Sequence, residues 1–210
     1  MLESVSFRGT IMARVYSKSF QVSFVSLMIA LTLILELINR ALPLRVPWGM
    51  SVDFVALPIM ITFFILGTRY SLVAAFGMFL MLSIAGYGNI VGAVMKTAAT
   101  VSMALTLGIL STGIIRRPPQ NAYRSVPKYS MAAVASLLVR CGVAVVLNYY
   151  WALPLFFQMP VEKIIETFFF GSYLGFISFV SSMNILQGMV DLVGSWLIVF
   201  GFARRVLEVS

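Results

Sequence analysis

The sequence predicts an all-α membrane protein with six transmembrane helices and both termini in the cytoplasm. Three observations lead there. The chain of 210 residues is 60% hydrophobic and only 10% charged, with a mean hydropathy of +0.99. Several uncharged runs are long enough to cross a bilayer as helices. None of them alternates in segments of about ten residues, as the strands of a membrane barrel would.

The same composition excludes several functions. A net charge of +8 would suggest nucleic acid in a soluble protein. Here it is loop charge that sets topology, and no nucleic-acid partner is expected. With no histidine and one cysteine, Cys141, the chain cannot form an internal disulfide, a His-based zinc site or a Ser-His-Asp triad. No metal site, catalytic residue or cofactor is expected. No phosphate-binding G-x-x-x-x-G-K-[ST] loop occurs, so the chain has no ATP site of its own.

The whole chain, 1–210, reads as one membrane domain, with a basic tail over 1–18 and a helical bundle over 20–205. Arg8, Arg14 and Lys18 precede the first apolar run, as in a signal peptide. That run, about 20–39, has span length and no convincing small-residue cleavage site, so it is read as the first span. Residues 40–53 carry two prolines and a glycine and form a structured loop. Ser51 or Asp53 is placed to cap the second span, about 54–67. A tight turn at Gly67–Tyr70 leads to the third span, about 71–85, and Gly86-Tyr87-Gly88 to the fourth, about 89–115. The basic loop RRPPQNAYRSVPK (116–128) precedes the fifth span, about 130–152. Residues 153–166 read as interfacial, with room for a short helix. The stretch 167–203 has one charge, Asp191, and 37 residues, too few for two spans of about 20 each. It is read as one long helix with a lead-in near Gly171 or Gly175.

Ten Lys and Arg fall on the side of the termini and three (Arg40, Arg45, Lys163) on the other, which places the termini in the cytoplasm. Depth follows at about 1.5 Å per residue from the basic ends. Glu36 lies 18 residues from Lys18, Lys96 20 from Arg116, Asn148 20 from Lys128, and Asn184 and Gln187 20 and 17 from Arg204. These polar side chains share one outer layer, about 25–30 Å above the inner boundary. Such a layer beneath proline-bearing loops describes an outward-facing pocket with a lid. Arg140 and Asp191, 12 residues from Lys128 and 13 from Arg204, share a deeper level and are expected to pair.

Each residue has a plainer alternative. Asn148, Asn184 and Gln187 are ligand contacts or interhelical glue. Glu36 and Lys96 line the pocket or neutralise each other. Asp53 is a contact or a cap. Trp48, Tyr149, Tyr150 and Trp151 form an aromatic belt or a platform for a flat ring.

Three segments, MSVDFVALP (50–58), NYYWALPLF (148–156) and NILQGMV (184–190), resemble the substrate-binding S component of energy-coupling-factor (ECF) vitamin transporters, most closely its riboflavin-specific branch. The resemblance covers roughly residues 20–205. It implies a non-enzymatic, multi-pass protein of a prokaryotic cell membrane that captures riboflavin as its transported ligand near the outer face. The first loop, with Trp48, Met50 and Asp53, and the last three spans would bind it. Asn148 and Asn184 match the motif asparagines that hold the flavin ring. Gln187 stands where the motif has lysine, and Lys96 in the same layer is a candidate source of that charge. The resemblance also implies partners: a transmembrane coupling protein and two ATPase subunits, docked on a small-xxx-small face of the first span, here Ser26 and Ala30. An S component for another vitamin or heterocycle, a non-transporting membrane scaffold and an intramembrane enzyme are the competing readings. The missing histidine and scarce carboxylates weigh against the last.

Overall fold

A computed structural model describes residues 16–41, 52–85 and 90–202. Six principal helices build it: α1 (Lys18–Ala41), α2 (Leu57–Leu66), α3 (Thr68–Ala85), α4 (Ile90–Ile114), α5 (Val126–Phe157) and α6 (Tyr173–Phe202). No strand occurs among the described residues. Four helices, α1, α4, α5 and α6, are long and apolar enough to cross a membrane, while α2 and α3 are shorter apolar helices.

The bundle buries several charged side chains and leaves many apolar ones exposed. Glu36, Asp53, Arg140 and Asp191 are buried, whereas Val22, Leu27, Ile109, Met131 and Leu138 are more than half exposed. That inversion suits a lipid solvent, which rewards no burial of apolar side chains but penalises exposed charge. α2 takes the centre. Its residues Leu57 to Phe64 are all buried, so it touches protein on every side. Its ten residues rise only about 15 Å.

Where helices end, the chain departs from the pattern read from sequence. The turn expected at Gly67–Tyr70 contracts to Gly67 alone, because Thr68 already starts α3. Gly67 has φ +90°, in the left-handed region that glycine enters at no steric cost, and its N–H still donates to Phe63 O at 2.9 Å. α5 runs on past 152 to Phe157 through a π-helical turn at Asn148–Ala152. Pro154 lacks the N–H that the helix needs, and the wider turn before it absorbs the break. The interfacial stretch then forms a short helix, Val161–Phe169, with Val161, Ile164 and Ile165 buried. Ser172 caps α6, its Oγ accepting the Gly175 N–H at 3.0 Å.

The basic residues gather at one end. Tyr70 donates its hydroxyl to Gln21, Gln120 Nε2 donates to Ile65 O (2.8 Å), and Trp196 Nε1 donates to Tyr123 O (2.9 Å). These bonds bring together the start of α1, the α2–α3 turn, the end of α4, the start of α5 and the end of α6. Lys18, Arg69, Arg116, Arg117, Arg124 and Lys128 therefore share this basic end. The loop 116–125 is not simply solvated. Its turn Pro119–Ala122 folds back, and Tyr123 is fully buried against Phe63, Phe64 and Tyr129. Tyr123 donates its hydroxyl to Leu107 O at 2.5 Å. Burial pushes that phenol up to about 12, so it remains a donor at physiological pH.

Close packing of α3 on α4 relies on Gly108. A Cβ there would stand 2.4 Å from Thr68 Oγ1 and 3.0 Å from its Cγ2, and the branched Thr68 has little freedom to yield. Gly108→Ala should cost about 1–3 kcal/mol, read as a lower melting temperature in detergent. Combining it with Thr68→Ala should restore most of the loss. An unchanged melting temperature for the single variant would show that the two helices do not pack this closely.

Candidate ligand-binding site

At the end of the bundle opposite the basic one, segment 52–56 turns into α2, and Asp53 is its meeting point. Asp53 Oδ1 accepts the Val55 N–H at 2.9 Å, an Asx turn. The expected cap is thus displaced: Asp53 caps the turn ahead of α2, and no side chain caps the helix itself. Asp53 Oδ2 faces Lys96 Nζ at 2.5 Å and accepts from Asn39 Nδ2 at 3.4 Å.

Gln187 on α6 grips the same residue by its backbone. Its Oε1 accepts the Asp53 N–H at 2.8 Å and its Nε2 donates to Asp53 O at 2.7 Å. The side-chain amide thereby pairs with residue 53 much as a neighbouring strand would. Gln187 Nε2 also donates to Asp191 Oδ1 at 3.0 Å, one turn along α6. Glycine at 188 allows the close approach that seats this face, since a Cβ there would stand 2.4 Å from Leu137 Cδ2.

The expected Arg140–Asp191 pair forms, with Nη1 3.1 Å from Oδ2 and both residues buried. Arg140 Nε donates to Asn184 Oδ1 at 3.3 Å, and Asn184 Nδ2 donates to Val180 O at 2.9 Å. On the other side, Lys96 also faces Glu36 at 3.6 Å, and Glu36 pairs with Arg40 at 3.0 Å. A continuous run of polar groups therefore crosses the bundle, from Arg40 through Glu36, Lys96, Asp53, Gln187 and Asp191 to Arg140 and Asn184. Three cations, Arg40, Lys96 and Arg140, meet three anions, Glu36, Asp53 and Asp191.

Seven of the residues singled out from sequence, Glu36, Asp53, Lys96, Arg140, Asn184, Gln187 and Asp191, come together in this run. Asn148 stands apart from it. Its side chain is buried and donates to Ala144 O within its own helix, at the first residue of the π-helical turn. Trp48 and Met50 lie outside the described residues. Ser26 and Ala30 are exposed on the outer surface of α1. Asn39 and Arg40 were not read from sequence as members of the site. Their signal was spacing: they follow Glu36 by three and four residues, which puts them on its helix face.

Breaking one half of a buried pair leaves a naked charge, which costs about 3–5 kcal/mol. Asp191→Asn and Arg140→Gln should each lower yield and melting temperature in detergent, and the double variant should recover part of the loss. A double variant as poor as the worse single would mean that the two charges do not compensate each other.

No protein-family profile matches the sequence, and no curated protein matches it. Among solved structures, a chain described as the S component of a bacterial ECF transporter aligns with a TM-score of 0.68 and 21% identity, over 90% of this chain and 99% of that one. The likeness is one of fold, and it spans nearly the full length of both chains.

Proposed function

We propose that this protein is the substrate-capture component of an ATP-driven vitamin uptake system and that its ligand is riboflavin. The observation that carries the reading is the shared fold with a bacterial ECF S component. In this reading all six helices lie in the cell membrane, the basic end and both termini face the cytoplasm, and the Asp53 end faces out. α2 is shielded from lipid on every side, so its short length need not match the bilayer.

Three further facts support it. Two of the three family-like segments, 50–58 and 184–190, are joined by the Asp53–Gln187 bonds. Asn148, in the third, keeps its side chain out of the charged run and sits on a π-helical turn, a feature frequent at functional sites. Ser26 and Ala30 face outward on α1, as docking against a transmembrane coupling protein requires. Capture involves no covalent step. Affinity comes from burying the ring and satisfying its polar edge. Uptake then depends on the coupling protein and its two ATPase subunits. One observation favours a different vitamin or heterocycle within the same class: the position of the motif lysine holds Gln187, whose amide is committed to Asp53 and Asp191.

The purified protein should quench riboflavin fluorescence on titration. Asn148→Ala should weaken binding about tenfold or more, the equivalent of one lost hydrogen bond to the ring. Well-folded protein with no flavin effect would replace riboflavin by another heterocycle. Lys96→Met and Gln187→Ala test whether these two side chains touch the ligand, since unchanged flavin affinity in both would show that neither is a contact.

A further inference from the structure

We propose that the basic end of α4 holds a binding site for the headgroup of an anionic phospholipid, with Arg116 and Arg117 as its cations. Four independent features converge there. First, an open depression of about 330 Å³ is lined by Thr112, Arg116, Arg117 and Pro118. Second, α4 closes through a π-helical turn, Leu110–Ile114, rather than a regular one. Third, Arg116 has φ +55°, the left-handed position that ends many helices and that glycine fills at least cost. Arg117 N–H closes the turn onto Ser111 O at 2.9 Å. The chain thus accepts a left-handed backbone at one of the two arginines that line the depression.

The fourth feature is charge. The basic end carries Lys18, Arg69, Arg116, Arg117, Arg124 and Lys128, and no acidic side chain among the described residues lies at that end. Glu36, Asp53, Glu162, Glu166 and Asp191 all belong to the other end or to the buried run. Positive loops alone would set orientation, and a single cation would suffice to offset the helix dipole. Neither role calls for two arginines on one depression.

The apolar surroundings point to a lipid rather than a soluble anion. Leu105, Ile109 and Ile114 are exposed along α4 leading to the depression. A phosphodiester seated between the guanidiniums would lay its acyl chains along these side chains, using both halves of the surface. This inference needs the membrane setting but not the identity of the transported ligand.

Native mass spectrometry of the full chain in detergent tests it, with phosphatidylglycerol and phosphatidylcholine of the same acyl chains. Phosphatidylglycerol should remain bound at concentrations about tenfold lower than phosphatidylcholine. Joint Arg116→Gly and Arg117→Gln should weaken its retention about tenfold without lowering the melting temperature, because glycine relieves the left-handed position. Joint Arg124→Gln and Lys128→Gln, basic residues away from the depression, should leave retention as it was. Equal retention of the two lipids would overturn the proposal. So would an Arg116/Arg117 variant that holds phosphatidylglycerol like the parent, or an equal loss in the Arg124/Lys128 variant. Displacement of the lipid by inorganic phosphate at matched concentration would make it a soluble-anion site instead. An Arg116/Arg117 variant that keeps its lipid but no longer co-purifies with an ATPase pair would make it a protein-docking surface.

Discussion

The grip of Gln187 on Asp53 is the contact on which the rest of the polar interior depends. Asp53 sits where the chain leaves segment 52–56 for the central helix, and its own backbone N–H and C=O have no helical partners. The Gln187 amide satisfies both, at 2.8 and 2.7 Å. With the backbone fixed, the Asp53 carboxylate is aimed at Lys96 and Asn39, while Gln187 leans on Asp191. One side chain thus sets the position of two carboxylates on different parts of the chain. An unsatisfied backbone group at this depth would cost about 1–3 kcal/mol, so the amide does more than fill space.

The buried charges are tolerable because they are matched in number and in place. A bilayer interior penalises each isolated charge, and attraction offsets that penalty only when partners are close and otherwise hydrogen-bonded. Arg140 meets this condition through Asp191 and Asn184, and Lys96 through Asp53 and Glu36. The run ties α1, α4, α5 and α6 to the base of the segment that enters α2. A ligand settling at that end would meet helices whose relative positions are already coupled, and Asn148 stands beside the run rather than in it. At the other end no charge pair couples the helices among the described residues: Tyr123, Tyr129 and Trp196 close the bundle by ring packing, with Tyr129 and Trp196 stacked at 5.7 Å, and by hydrogen bonds to backbone carbonyls.

Much of the fold was legible because lipid is a simple solvent. A span must be apolar for a set length, so run length and the positions of Arg and Lys expose helices and turns directly. The Arg140–Asp191 pair was legible for the same reason, as two lone charges at one depth have few other solutions. Boundaries were less so. The turn at Gly67, the continuation of α5 past Pro154 and the inward fold of Tyr123 depend on local backbone geometry and on neighbours distant in sequence.

The sequence by itself determined the helical class, the basic end, and which polar side chains share a depth, because each of these follows from one residue's distance to a boundary. Only the tertiary structure decided which polar groups meet. Depth places Lys96, Gln187 and Asn148 in one layer but says nothing of direction around the bundle. Packing α6 against α2 turned Gln187 onto the Asp53 backbone, α4 brought Lys96 to its carboxylate, and Asn148 kept to its own helix. Which side chains remain for a ligand is therefore a matter of azimuth, and azimuth is fixed by helix packing rather than by sequence position.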